Sequence, residues 1–456
     1  MRQVTVGIIG GGTVGGGVFR ALQRNGPLMA SRLGVQLNVG KVAVRNPRKR
    51  RSVQIPAALL SANWDAVVTD PGIDLVVELI GGTTTARSVI LKALAAGKPV
   101  VTANKALLSA HGEELFAATQ QSGANLYYEA SVAGGIPIIK VLREALIGNR
   151  IAEIYGIVNG TCNYILTRMK LEGAEFNDVL AEAQRLGYAE AEPSLDIDGH
   201  DALHKVGILA SLAHGFWVSP DQIHVEGIRS ISKLDIQFAG QLGYTIKLLA
   251  VVKMLDDSRR AANSPIAPHP RQSRAANHKS PRVQVSVYPA LIPNSHVLAS
   301  VNGVFNAVFV RGDVAGDTLY YGRGAGADAT ASAVLSDLAD AALDLKCGNK
   351  SRIPPFVPHE CKGEVLEMGE VISRYYVRLS VIDKPGTLAK IAAILGQSKI
   401  GISSVIQPEG HEGDSVPLIL MIHDAPNAAM KRALARISRL NVIKAPPRMI
   451  RVECFE

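Results

Sequence analysis

Residues 4–20 read Val4-Thr5-Val6-Gly7-Ile8-Ile9-Gly10-Gly11-Gly12-Thr13-Val14-Gly15-Gly16-Gly17-Val18-Phe19-Arg20. A short apolar strand runs into Gly10-x-Gly12-x-x-Gly15, and Val18 and Leu22 then recur at helical spacing. In a strand–turn–helix context this is the dinucleotide fingerprint. Gly10 makes the tight turn, Gly12 lets the backbone approach a pyrophosphate, and Gly15 lets helix and strand pack closely. Thr13 and Val14 complete the cofactor loop, where first-turn N–H groups and the positive end of the helix dipole face the anion. The fold expected from this opening is α/β, with a Rossmann-type parallel sheet over residues 1–128.

The strand Leu37–Val44 ends in Arg45-Asn46-Pro47-Arg48-Lys49-Arg50-Arg51. An NAD-selective site carries an acid there for the ribose 2′-hydroxyl; cations without an acid suit a 2′-phosphate. NADP(H) is therefore preferred over NAD(H), with Arg45 as the contact, although a solvated basic turn reads the same way. Asp74–Ile80 reads as a buried strand closed by Gly81-Gly82, with a helix over Thr85–Ala96 and a further strand over Pro99–Thr102. Ligands of open α/β sheets lie at the carboxyl ends of strands, which places Gly81, Thr83 and Lys105 toward the cofactor or a reacting carbonyl.

The composition is that of a globular enzyme: 456 residues, 47% hydrophobic and 20% charged. No apolar run is long enough for a membrane span, and the strand beginning at Val4 leaves no room for a signal peptide. Cys162, Cys347, Cys361 and Cys454 form no C-x-x-C pair, so a reducing cytoplasm is expected. The net charge of +9 does not point to nucleic acid, because residues 258–282 carry six cations and no acid in a Pro-, Ser- and Asn-rich stretch. That stretch reads as a flexible insertion.

Tyr127–Pro137 reads as a strand breaking into a Gly-rich turn. Such a turn aims carbonyls at one point beside the Glu129 carboxylate, an all-oxygen set suited to a hard cation, or it is simply a tight turn. Gly187–Lys205 gathers Glu190, Glu192, Asp196, Asp198, Asp201 and Lys205 around turn residues before an apolar helix. Asp201 and Lys205 fall at i and i+4 on one helix face. Either this is a solvated acidic loop with a helix ion pair, or it holds an amino acid and moves a proton.

Beyond residue 354 the pattern changes to βαββαβ: strands at 375–382, 402–407, 417–423 and 448–453, with helices after Asp383-Lys-Pro-Gly386 and over Ala428–Leu440. This order is ferredoxin-like, and its opening turn resembles an ACT domain, a small-ligand regulatory module.

Several motifs together resemble the homoserine dehydrogenase family: residues 10–15, Glu78-Leu-Ile-Gly-Gly82, Thr102-Ala-Asn-Lys105, Tyr128–Pro137 and Asn159-Gly-Thr-Cys-Asn-Tyr-Ile-Leu166. Ala183, Gly187, Pro193, Asp196, Gly199, Asp201 and Lys205 fit that family's signature in register. The resemblance implies NAD(P)H-dependent interconversion of L-aspartate 4-semialdehyde and L-homoserine, on the route to threonine and methionine. It implies Lys205 as proton donor/acceptor, Glu190 and Asp201 as substrate acids with Asp196 in support, and Lys105 on the cofactor and substrate side. It further implies a sodium site at Glu129 and the carbonyls of Val132, Gly134 and Ile136, and cofactor contacts at Gly187 and Gly303.

The implied organisation is a catalytic and dimerisation α+β region at 129–350, a linker at 351–371 and an ACT module at 372–456. L-Threonine is the expected effector near residues 384–388, in a homodimer or homotetramer. Glu192, Cys162 and Ala329 depart from the family pattern without removing a catalytic group. Two other chemistries fit parts of the pattern. His200 and His204 have a zinc-helix spacing but Asp201 is short for the general base, and Cys162 at a helix start could act as an acyl-forming thiolate.

Overall fold

The structure, a computed structural model, describes residues 1–255, 281–349, 352–360, 363–408 and 415–455. Residues 258–280 of the expected insertion lie outside the described residues. The chain forms two compact units, one of residues 1–154, 204–221 and 306–363, the other of residues 155–203, 222–305 and 364–456.

The first unit opens with β1 (Arg2–Ile9), α1 (Thr13–Leu33), β2 (Val35–Ala43), β3 (Leu60–Ser61), α2 (Trp64–Thr69), β4 (Leu75–Glu78), α3 (Thr84–Ala95), β5 (Val100–Thr102), α4 (Lys105–Ser122) and β6 (Leu126–Tyr127). The sheet runs β3-β2-β1-β4-β5-β6, with every pair parallel. Strands β4, β5 and β6 are short and buried at every position, because helices cover both faces of the sheet there. Strand β4 is shorter than the apolar run 74–80. The Glu78 carboxylate accepts the Ile80 N–H at 2.8 Å, which draws the chain out of the sheet before the left-handed pair Gly81–Gly82. Val18, Phe19 and Leu22 of α1 share a core with Ala331, Val334, Leu338 and Ala342 of the helix Ala327–Cys347. That helix enters from far along the chain. Gly17 permits the approach, since a Cβ there would stand 2.9 Å from the Ala327 carbonyl.

After β7 (Ile151–Ile157), the second unit carries the helices Gly160–Glu172, Phe176–Arg185 and Ser194–Ile197, then β8 (His224–Val225), β9 (Tyr244–Met254) and β10 (Arg282–Pro293). Strands β9 and β10 pair antiparallel along their full length, from Val283↔Met254 to Pro293↔Tyr244. From Asn306 on, the strands β11 (Phe305–Gly312) and β12 (Gly316–Arg323) belong to the first unit, and the second unit resumes with β13 (Glu364–Val365), which runs parallel beside β10. The C-terminal stretch is β14 (Ile372–Val381), helix Thr387–Gln397, β15 (Ile402–Ile406), β16 (Val416–Pro426), helix Asn427–Ile437 and β17 (Ile443–Val452).

These last strands continue the sheet of β9 and β10 in the order β9-β10-β17-β14-β16-β15. The join is a parallel contact, Ala290↔Arg451 and Leu291↔Val452. Tyr375, Val377, Leu379, Ile391, Leu395, Leu418, Leu420, Met430 and Ile437 form the core of this stretch. Each such side chain contributes about 1.5–3 kcal/mol by leaving water. A second join is electrostatic. The wholly buried Asp235 caps the helix Lys233–Gln241 through Ser232 and takes both Arg378 contacts from β14, at 2.6 and 3.0 Å. Burial pushes the Asp235 carboxyl up, but Arg378 and the Ser232 hydrogen bonds hold it below its ordinary value. Among the described residues no helix is long and apolar enough to cross a membrane.

Candidate active site

In the first unit the predicted cofactor residues gather at the carboxyl edge of the parallel sheet. Gly10 sits at φ +111°, and a Cβ there would meet the Leu79 carbonyl at 2.6 Å. A Cβ on Gly15 would lie 1.8 Å from the Gly10 carbonyl oxygen. Gly12 differs: it is exposed, nothing stands within 4 Å of where its Cβ would be, and it has no side chain to cap the first turn of α1. Thr13 is exposed and Val14 half-buried beside it. An open backbone cradle on the N-terminus of a 21-residue helix fits a pyrophosphate.

Arg45 is exposed just past the end of β2. The sequence reading did not single out Arg51, whose guanidinium donates to the carbonyls of Asn46 at 2.5 Å, Pro47 at 3.1 Å and Lys49 at 2.8 Å. It also stands beside Gly11, so it shapes the basic turn and borders the glycine loop.

A second edge is built from β4 and β5. The buried Glu78 accepts from the Thr102 hydroxyl at 2.7 Å, and burial raises its pKa. The Asn104 amide donates to the Gly82 carbonyl at 2.7 Å, while its oxygen caps α4 at the Leu107 N–H. Gly81 and Gly82 are thereby fixed in left-handed backbone with open space where side chains would stand. Thr83 precedes α3 without capping it, and Lys105 opens α4, half-buried.

Glu129 is buried, and its carboxylate accepts the backbone N–H groups of Ile139 and Lys140, each at 2.9 Å. Asp337 accepts the Glu129 N–H at 2.9 Å. Burial pushes Glu129 up to about 7 despite those amides and the Lys140 and Arg143 charges, and it raises the wholly buried Asp337 well above its ordinary range. The turn between them is held by left-handed Ala133 (φ +53°) and Gly134 (φ +46°), and Val132, Gly134 and Ile136 are buried along it. Among the described residues no three or more His, Cys, Asp or Glu side chains gather as a metal site.

In the second unit the organising residue is Asn159, N-cap of the helix Gly160–Glu172. Its amide nitrogen donates to Asp196 Oδ1 at 2.7 Å and to Asp201 Oδ2 at 2.9 Å, and its oxygen accepts the Cys162 N–H. Thr161 Oγ1 lies 2.7 Å from the Tyr188 carbonyl and 3.1 Å from Asp196 Oδ2, so its single proton is shared between these two acceptors. Two acids of the loop are thus held by one helix N-terminus. Cys162 is buried with its thiol toward the Asp196 carbonyl at 3.2 Å, a packing position rather than that of an accessible nucleophile.

Asp201 and Lys205 lie one turn apart in the helix His200–His214, both buried. Glu190 and Gly187 are exposed, Gly187 with φ +76°. Glu192 binds Ser194 at the start of the short helix, so the departure from the family pattern is absorbed as a local cap.

Gly303 lies in a turn pinned by residues the sequence reading missed. Asn163 Nδ2 donates to the carbonyls of Val301, Gly303 and Phe305, and Thr167 Oγ1 accepts the Gly303 N–H at 3.1 Å. The Lys247 ammonium bridges Asn163 Oδ1 at 2.9 Å and the Val301 carbonyl. Burial, with Lys170 nearby, brings Lys247 down to about 7. A lysine inside the apolar run of β9 was the only sequence signal for this arrangement.

Family models match most of the chain: homoserine dehydrogenase over residues 137–339, and homoserine dehydrogenase, NAD binding domain, over residues 10–129. The chain is 42% identical to homoserine dehydrogenase of Pseudomonas aeruginosa, with 99% of each covered. Its structure is similar to that of a homoserine dehydrogenase from Thiobacillus denitrificans, with TM-score 0.87, 42% identity and 99% of both chains covered. A hyperthermophilic archaeal homoserine dehydrogenase in complex with NADPH is more distant, at TM-score 0.59 and 26% identity over 75% of this chain and 98% of that one. With a parallel-sheet nucleotide cradle and an asparagine-bridged acidic loop on the same polypeptide, the chain belongs to the homoserine dehydrogenase family, NAD(P)-dependent oxidoreductases that act on a CH–OH group.

Proposed function

We propose that this chain reduces L-aspartate 4-semialdehyde to L-homoserine, reversibly, as a cytoplasmic step toward threonine and methionine. The observation that carries the reading is the Asn159 bridge, which holds Asp196 together with Asp201, the latter one helical turn ahead of the buried Lys205. A bound reduced nicotinamide dinucleotide supplies the hydride. The Lys205 ammonium stabilises the negative charge growing on the aldehyde oxygen and gives it a proton, and in reverse the amine takes that proton back. Glu190 and Asp201 hold the substrate ammonium, with Asp196 stiffening the loop. Lys105 serves the cofactor and substrate side. Gly10, Gly12, Thr13, Val14, Gly15, Gly81 and Thr83 are the cofactor contacts of the nucleotide domain, and Gly187 and Gly303 are further cofactor contacts.

NADP(H) is the preferred cofactor, through Arg45 and a basic turn without an acid; the archaeal relative solved with NADPH supports this. A sodium ion is held by Glu129 and the carbonyls of Val132, Gly134 and Ile136. The support is a buried carboxylate whose charge burial disfavours, beside a turn with two left-handed residues. The organisation is a nucleotide domain at 1–128, a catalytic and dimerisation region at 129–350, a linker at 351–371 and an ACT module at 372–456. L-Threonine is the effector near 384–388 of a homodimer or homotetramer.

NADPH oxidation with aspartate semialdehyde tests the core of the reading. Wild type turns over, and Lys205→Ala loses at least about 100-fold in kcat, within the range of a lost general acid; full turnover in the variant sinks the mechanism, and a silent wild type sinks the function. Arg45→Ala raises KM for NADPH about tenfold, or about 1.4 kcal/mol, and leaves KM for NADH in place; equal changes for both cofactors count against the 2′-phosphate contact.

The Glu129 carboxyl titrates near 7 when folded, against an ordinary value of 4.5. Its raised pKa favours the folded state fully below about pH 4.5, and this contribution is lost as pH rises through 7. Sodium chloride, compared with choline chloride, therefore raises Tm more at pH 8 than at pH 5, and Glu129→Gln removes the difference; indistinguishable salts overturn the site. Millimolar L-threonine slows the reduction and alters the sedimentation of the oligomer, and a rate unchanged by threonine sinks the effector reading.

A further inference from the structure

We infer that Arg451, acting through Glu226, is a positioning residue for the substrate loop, so that the C-terminal strand sets substrate affinity. This rests on the reading of Asp196 and Asp201 as parts of the substrate site. Arg451 lies in β17 with no exposed surface. Its guanidinium makes a two-pronged contact with Glu226, Nη1 to Oε2 at 2.7 Å and Nη2 to Oε1 at 3.0 Å. Nη2 also donates to Asn427 Oδ1 at 3.0 Å, and the group lies over the Tyr288 ring at 4.5 Å. A buried guanidinium held by a planar fork and a ring face has one orientation, and its carboxylate partner inherits it.

Glu226 belongs to a segment laid along β10. Its N–H donates to the Val287 carbonyl at 2.8 Å, and β8 just before it pairs with Ser286 and Val287. The next residues support the loop directly. The Ile228 N–H donates to the Ile197 carbonyl at 2.8 Å, and a Cβ on Gly227 would lie 2.2 Å from that same oxygen. Arg229 grips Asp198 with both prongs, at 2.5 and 2.9 Å, and Ser194 Oγ at 2.8 Å. Gly199, at φ +89°, sits where a Cβ would meet Val225 at 3.0 Å and Val287 at 3.3 Å.

The loop 194–199 therefore rests on residues 225–229, and Glu226 is the point at which the C-terminal strand holds them. A cavity of about 330 Å³ borders the junction, lined by Asp198, Glu226, Arg229, Pro289 and Met449 among others. His224 also reaches Glu226 Oε1 at 2.8 Å, but from within the same segment, so Arg451 is the contact that ties residues 225–229 to the C-terminal strand, and its loss lets them move and the loop with them.

The test uses the full-length enzyme with Arg451→Met and Glu226→Gln, assayed with homoserine and NADP in steady state, together with amide hydrogen exchange. The expected result is a rise of about tenfold in KM for homoserine, with kcat and KM for the cofactor within about threefold. Such a split marks lost ground-state binding rather than lost chemistry. Amides of 194–199 exchange faster in the same variants. If Arg451→Met does not fold, Glu226→Gln, which keeps the side-chain volume and removes the charge, decides the matter. A folded Glu226→Gln with unchanged homoserine KM and unchanged exchange overturns the inference, as does a parallel loss of Tm, kcat and both KM values. A wild type inactive on homoserine would count against the functional reading instead, and the exchange comparison, which needs no substrate, would still decide the positioning role.

Discussion

Two carboxylates brought close together repel, and a loop that carries them needs a neutral donor to keep them in place. Asn159 supplies it. One amide reaches Asp196 and Asp201 while its oxygen caps the helix behind it. Everything around the acidic loop depends on this bridge: the helix Gly160–Glu172 that aims it, the short helix Ser194–Ile197 that brings Asp196 within reach, and the start of the helix that carries Asp201. An amide suits the task better than a cation would, because it fixes both acids without cancelling their charge, which remains for a ligand's ammonium.

The same economy recurs where buried acids are used to shape backbone. Glu78 ends β4 by taking the Ile80 amide, and Glu129 takes two amides at the next helix start. In each case burial opposes the charge and local N–H groups support it, so the acid marks the one turn geometry that feeds it donors. These turns are the ones that carry the left-handed residues Gly81, Gly82, Ala133 and Gly134.

How much of this is legible in sequence follows from the distance over which each part is built. The glycine loop is readable because its tightest constraint acts within six residues: Gly15 answers to the Gly10 carbonyl, while the Leu79 carbonyl that crowds Gly10 comes from another strand and leaves no local sign. Asp201 and Lys205 are readable because helix geometry alone puts them on one face. Lys247 is not, since its partners Asn163 and Val301 stand 84 and 54 residues away and its own neighbours form an apolar strand. Arg51 was visible as one more cation, but its role comes from a fold-back onto three carbonyls that composition does not encode. The Arg451–Glu226 pair spans 225 residues and left no local trace.

The placement of β17 between β10 and β14 has a consequence for how the polypeptide is made. Synthesis delivers β14 before the ten residues that pair with it, so β14 waits with an unpaired edge, and Ala290 and Leu291 of β10 without their partners, until Ile443–Val452 have emerged. The apolar face of α1 waits in the same way for Ala327–Cys347. Exposed strand edges invite pairing with other chains, and contacts of such long sequence separation close slowly. Ile443–Val452 thus close the junction between β10 and β14: a chain lacking them keeps its glycine loop and its acids yet leaves the β14 edge open, and an open edge is a template for pairing with other chains.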